Sequence, residues 1–447
     1  MKANHLYRRR FLAMGGGAFA AASFHALACR SSGPPTDPVG YGPLRPVRDE
    51  TTGLELLHLP PGFRYLTFGW TGDPLDDGSP TPGAHDGMAA FAGAGSRVRL
   101  VRNHEIRAGK AFAGEPVYDG QAGGGTTTIE FDASSGAAGS AWPSLAGTAV
   151  NCAGGPTPWG SWLSCEETVD GPGGEHGFGL AHGYVFEVPA DGIGSPEPYR
   201  AMGRFVHEAV AVDPESGIVY ETEDRREAGF YRFLPDRPGR LAAGGRLEML
   251  ALSDRSGADT RKGQRAGIWE SVRWIPIEDP DPHPIETGSV RAQGLRQGAA
   301  TFARLEGTWS GNGRVYVVST NGGDAEAGQV WEYDPASERI RLLFESPAAE
   351  VLDMPDNICV SPRGGLVLCE DGDGEDYVRG LTTDGEIFPF AKNNIVLAGN
   401  RNGLEGDFRD SEFAGATFSP DGKWLFFNAQ RPGITFAVTG PWDDQLI

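Results

Sequence analysis

The residues best suited to chemistry in this 447-residue chain are acids and cysteines that recur at one spacing. Glu208, Glu306 and Asp356 each stand near the start of a short apolar run. Fourteen positions further on come Thr222, Thr320 and Glu370, and the same step from Cys152 reaches Glu166. The segment NCAGGPTPWGSWLSCEET (151–168) places Cys165, Glu166 and Glu167 at the end of its second run, as CEDG (369–372) places Cys369, Glu370 and Asp371. Glu221, Glu223 and Asp224 end a third such run, and Asn103, His104 and Glu105 a fourth. Carboxylates packed together cannot all stay ionised unless cations join them, and a thiolate is a metal ligand. A metal centre is the chemistry such a set would perform. A lone glutamate at a strand end is ordinarily solvated, so the expectation rests on the constellation. DGDGED (371–376) has the look of a calcium loop but lacks a twelfth-position acid. GGG (123–125) precedes a strand rather than a helix and is no phosphate loop.

These residues can meet only if the elements that carry them converge. No long stretch has apolar residues at helical spacing. Short runs of Val, Ile, Phe and Tyr alternate with turn residues, which predicts an antiparallel all-β fold. HEAVAVDPESGIVYETED (207–224), PDNICVSPRGGLVLCEDG (355–372) and EFAGATFSPDGKWLFFNAQ (412–430) each read as strand, Pro/Gly turn, strand. Segment 151–168 matches them, with Pro158 where they have Pro214, Pro362 and Pro420. LEGTWSGNGRVYVVSTNGG (305–323) is a fifth copy, and HDGMAAFAGAGSRVRLVRNHE (85–105) a sixth with a longer turn. Most copies are followed by another strand, such as YVFEVPADG or VWEYDPASE. Six units of about four strands predict a six-bladed β-propeller. GFRYLTFG (62–69) would join the first and last blades, and residues 251–300 read as an irregular insertion. The first strand of each blade lines the central channel, and the second ends where the first begins. The acids and cysteines above should therefore gather at one mouth of that channel.

Composition sets the outer limits. Gly 66 and Pro 33 indicate many tight turns, while 39% hydrophobic residues suffice for a large core, predicted here as a single domain over 54–447. RRRFLAM followed by GGGAFAAASF and ALAC predicts a twin-arginine signal peptide over 1–28, with 29–53 as a linker. Cleavage follows Ala28 or Cys29 is lipidated; both readings stay open. Such export carries folded proteins, so a cysteine can meet metal before it oxidises. One or two disulfides among Cys152, Cys165, Cys359 and Cys369 also stay open. The net charge of −21 becomes about −25 once Lys2, Arg8, Arg9 and Arg10 leave with the signal, which disfavours nucleic acid as a partner.

Taken in order, RRRFL, LPPGFRY, DGM, RNHE, GGGTT, CEET, HGYVFEV, GRFVHEA, R-L-EG, MPDN and CEDG resemble the PhoX-type alkaline phosphatases over nearly the whole mature chain. The resemblance implies a six-bladed propeller whose channel holds two ferric ions and up to three calcium ions. It implies hydrolysis of phosphomonoesters and export by the twin-arginine machinery. The ions would supply a metal-bound oxide or hydroxide as nucleophile, and a small phosphate-ester substrate, a periplasmic or secreted location and a monomer are expected. By the same resemblance Cys165 is the thiolate shared by the irons. The carboxylate ligands would be Glu105, Glu166, Glu208, Glu221 or Asp224, Asp356, Glu370 and Asp371. Arg304 looks like the phosphate-binding arginine, with Glu306 beside it as the second catalytic residue. The chain departs from the family in a compressed region around 230–300. A calcium-dependent propeller lactonase or phosphodiesterase, and a non-catalytic binding propeller, are the rival readings.

Overall fold

A computed structural model describes residues 39–283, 289–443 and 446–447. The expected signal peptide over 1–28 and Cys29 lie outside the described residues. Among those residues the one α-helix is Val290–Arg296, capped by Ser289, whose Oγ accepts from the Ala292 amide. Nearly everything else regular is antiparallel strand.

Six groups of antiparallel strands follow one another along the chain, the third and fourth joined within one nine-stranded sheet. Their first strands are His85–Ala92, Asn151–Pro156, His207–Val212, Leu305–Gly311, Pro355–Val360 and Phe413–Phe418. Each packs against the next and the sixth against the first, closing a ring around a channel. This is a β-propeller, as the repeats predicted. The sheet that starts at Asn151 has only three strands. Strand Arg64–Phe68 closes the ring by pairing with Ile434–Thr439, from Phe68 opposite Thr435 to Arg64 opposite Thr439. That pairing covers an edge that would otherwise stand open.

Two expectations about the flanking segments change. The described part of the expected linker over 29–53 is folded into the ring. Arg45–Val47 pairs with Leu57–Leu59, which in turn pairs with the blade strand Ile387–Asn393. Asp49 is buried and accepts from the Thr51 and Thr52 amides and from Thr67 Oγ1. Within the expected insertion over 251–300, Glu270–Pro276 extends one blade by pairing with Gly245–Leu252. Through Glu270 and Ser271 it also reaches Ile340 and Arg339 of the next blade, so two blades share one nine-stranded sheet.

The core lies between the sheets. Alternate side chains of each strand face the neighbouring blade, as where Leu163, Val185, Phe233 and Met249 pack together. The innermost strands carry a second feature. Each breaks register with its partner within its first few residues: between His85 and Met88, Asn151 and Gly154, His207 and Val210, Leu305 and Thr308, Pro355 and Asn357, and Ala414 and Thr417. A bulge of this kind re-aims the side chain it contains. Four strands are entered through a residue with left-handed backbone: Ala84, Val150, Arg304 and Met354. Small residues sit within the bulge because the strands crowd at the axis. A Cβ on Gly87 would lie 2.6 Å from Ala153 Cα, and one on Gly307 2.8 Å from the Asp356 carbonyl oxygen.

Candidate metal centre

The bulges decide which side chains enter the channel. The second residue of five innermost strands is Asp86, Cys152, Glu208, Glu306 or Asp356; the sixth has Ala414 there, and Glu412 just ahead of the strand takes its part. A second circle comes from the residues that follow the second strands: Glu105, Glu167, Asp224, Asp371 and Gln430. One hydrogen bond repeats around it. The amides of Glu105, Glu167, Asp224, Asp371 and Gln430 donate to the carbonyls of Ala84, Val150, Val206, Met354 and Glu412, at 2.8–3.2 Å. The end of each second strand is thereby pinned beside the start of the first.

The side chains of the two circles meet. Ligand atoms of Cys152, Glu167 and Glu208 lie within 4.8 Å of one another, as do those of Glu208, Glu306 and Asp356. So do those of Asp356, Asp371 and Glu412, and of Asp86, Glu105 and Glu412. Shared members join the four groups around a cavity of about 290 Å³ that opens beside Arg107, Arg304 and Arg431.

Burial is the main force on these groups. It pushes the carboxyls of Asp86, Glu167, Glu208, Glu306 and Glu412 well above the usual range, and neighbouring carboxylates push them further. Asp356 is raised to about 8 for the same reasons, with Asp371 its strongest like-charged neighbour. Burial and the charges of Asp86 and Glu208 also raise the Cys152 thiol, whose Sγ sits 3.1 Å from Glu208 Oε1. Asp86 Oδ1 and Glu208 Oε2 are buried without a hydrogen-bond partner. So many acids with too few donors fit bound cations, which replace the missing protons and partners. The donor set sorts itself by chemistry. The thiol beside Glu167 and Glu208 suits a transition metal such as iron, while the all-oxygen groups suit a hard cation such as calcium.

Arg107, Arg304, Arg431 and Gln430 frame the cavity, and three of them are tied to its acids. Arg304 donates from Nε to Asp224 Oδ1 at 2.9 Å and from Nη2 to Asp224 Oδ2 at 3.1 Å, and Nη2 is 2.6 Å from Glu306 Oε1. Its Nη1 takes no part in these contacts. Arg107 Nη2 stands 2.5 Å from Glu105 Oε1 and 3.5 Å from Glu167 Oε2. Gln430 Nε2 donates to Glu105 Oε2 at 2.6 Å.

Of the residues singled out from the sequence, Glu105, Glu208, Glu306, Asp356 and Asp371 come together here, with Asp224 and Arg304 at the rim. Cys165, Glu166, Glu221 and Glu370 do not. Cys165 packs between blades among Leu163, Val185 and Tyr231, and the cysteine at the cavity is Cys152. Glu166 accepts from the amides of Ala149, Gly183 and Tyr184 and from His182 Nδ1, which ties it to the start of the following strand. Glu370 does the same with the amides of Asp353 and Tyr377 and with Arg379 Nε. The cause is the two-residue alternation of a strand: one step along, at Glu167 and Asp371, the side chain reaches the channel. Glu221 lies three residues before Asp224, the channel position at the end of its strand, and is buried with His207 Nδ1 at 3.4 Å.

Sequence reasoning did not single out Asp86, Glu412 or Gln430 and placed Cys152 and Glu167 only in passing. The repeat held the signal for two of them, since HDGM and NCAG align with HEAV and put Asp86 and Cys152 at the Glu208 position. Glu412 sits outside that position and carries no such signal. All four mature cysteines are free and buried, so no disulfide forms among the described residues.

A family model described as alkaline phosphatase PhoX matches residues 39–433. The chain belongs to the PhoX family. The segments from LPPGFRY to CEDG all lie within the matched residues, and phosphatase activity is the family's chemistry. Among solved structures, PhoX from Pseudomonas fluorescens in complex with vanadate, a transition state analogue, is similar with a TM-score of 0.64 at 17% identity. The match covers 90% of this chain and 98% of that one. A gluconolactonase from Xanthomonas campestris is more distant, with a TM-score of 0.45 at 13% identity over 90% of this chain and 98% of its own. A calcium-binding regucalcin from Agrobacterium tumefaciens follows at 0.40 and 11%, over 84% and 97%. No curated protein matches the PhoX-family chain in sequence.

Proposed function

We propose that this chain is a phosphomonoesterase that works at two ferric and up to three calcium ions held at the channel mouth. The observation that carries the reading is the double circle of Asp86, Cys152, Glu208, Glu306 and Asp356 with Glu105, Glu167, Asp371 and Glu412. Bound there, cations would polarise phosphoryl oxygens and lower the pKa of coordinated water. The protein's own part is positioning and charge. Asp224 and Glu306 hold the Arg304 guanidinium rigid, so its free edge meets a phosphate without first being ordered. The burial that raises the carboxyls also lowers the local dielectric, which strengthens the charge interactions at the centre.

The rest of the reading concerns where and on what the protein acts. RRRFL supports twin-arginine export to the periplasm or beyond, with membrane attachment only through a lipidated Cys29. Among the described residues no helix is long and apolar enough to cross a membrane. The substrate is a small phosphate ester and the protein a monomer. Turnover of p-nitrophenyl phosphate by metal-loaded protein tests the core of this. Hydrolysis should stop with chelator and return with calcium. No turnover by fully loaded protein would favour a binding propeller instead. Chelator-sensitive lactone hydrolysis that survives Cys152→Ser would favour the calcium-dependent hydrolase.

A further inference from the structure

Arg304 belongs to two cavities. Beyond the metal centre it also lines a groove of about 820 Å³, with Arg225, Arg226, Arg261 and Arg291 and only two acids, Asp224 and Glu227. Through Arg226 and Arg261 the groove continues into a hollow of about 560 Å³ that adds Lys262 and two acids, Asp259 and Glu326. Some of these cations are already paired. Arg261 holds Asp259 at 2.7 Å, Arg291 reaches Glu227 at 3.3 Å, and Lys262 meets Glu326. Arg225 and Arg226 are exposed and form no ion pair among the described residues. Asn321, shared by both hollows, has a buried Oδ1 without a partner. A net-positive groove stands out in a chain of net charge −21, where a carboxylate-rich surface is the norm.

A phosphate ester with a neutral alcohol would gain nothing from this groove. An alcohol that carries a second phosphate would, because guanidinium groups match phosphate oxygens in a planar fork and keep their charge at any working pH. A local positive field would also draw a polyanion toward a protein that otherwise repels it. We propose that the groove selects phosphomonoesters whose alcohol bears a further phosphate, with Arg225 and Arg226 holding that phosphate while Arg304 faces the one to be cleaved. The inference rests on the phosphatase reading above.

Fructose 1,6-bisphosphate and fructose 6-phosphate differ by one phosphate and make the test. In metal-loaded protein at low salt, kcat/KM for the bisphosphate should exceed that for the monophosphate by about tenfold or more, and the ratio should shrink as salt rises. Arg226→Glu, and separately Arg225→Glu, should bring the ratio toward one through KM. A ratio near one in the wild type, or one unchanged in both folded variants, overturns the inference. If neither ester nor p-nitrophenyl phosphate is hydrolysed, the phosphatase reading fails. Calorimetric titration then still decides the groove, which requires tighter binding of the bisphosphate than the monophosphate in wild type and loss of that difference in Arg226→Glu.

Discussion

Cys152 and Cys165 occupy paired strands of one blade and face different surroundings. The first shares a cavity with Glu167 and Glu208; the second packs among Leu163, Val185 and Tyr231, with the buried Glu221 and Glu166 nearby. Cys152→Ser should therefore lower bound iron and phosphate-ester turnover together, read by elemental analysis and p-nitrophenyl phosphate hydrolysis. Cys165→Ala should leave both in place and cost on the order of 1 kcal/mol of stability, read by thermal melting. Arg304→Ala removes the cation that Asp224 and Glu306 position. Turnover efficiency should fall by about 10²-fold, as for loss of one preorganised donor, with the metal content retained. Metal loss in that variant would show instead that Arg304 holds the centre together.

At the scale of the element, the innermost strand with its bulge is the working unit. Six such strands were legible from the repeated strand–turn–strand segments, and so was the end of the channel at which they deliver acids. The side chain delivered was not always legible. Periodicity shows that residues alternate but not where a bulge resets the alternation, so sequence reasoning picks Glu166 in place of Glu167 and counts Glu370 as a ligand along with Asp371. Cys165 drew attention through its neighbours in CEET, although Cys152 held the repeated position of Glu208. The bulge depends on small residues at the axis. Gly307→Ala would place a methyl 2.8 Å from both the Asp356 carbonyl oxygen and the Ile358 amide nitrogen, backbone atoms of the adjacent strand. We expect a loss of about 1–3 kcal/mol in stability, read by chemical denaturation, together with weaker calcium binding.

At the scale of the whole molecule, the ring gathers like charges that the fold alone does not neutralise. Burial, then neighbouring carboxylates, raise the folded-state pKa of Asp356 from 3.8 to about 8, and several companions shift the same way. Without metal the folded protein then binds more protons than the unfolded chain between about pH 4 and pH 8. Its stability is fullest below that window and falls as pH rises through it. Chelated protein should melt at a lower temperature at pH 8.5 than at pH 5, and calcium and iron should remove most of the difference. An equal or higher melting temperature at pH 8.5 would mean that the acids are satisfied without cations.

Anomalous diffraction from crystals of the protein purified with its metals is the most direct measurement. More than one peak is expected at the channel mouth, an iron peak against Cys152 Sγ and lighter ones among Asp86, Glu105, Asp356, Asp371 and Glu412. A map without peaks there, or with iron against Cys165, would contradict a polynuclear centre built on these side chains.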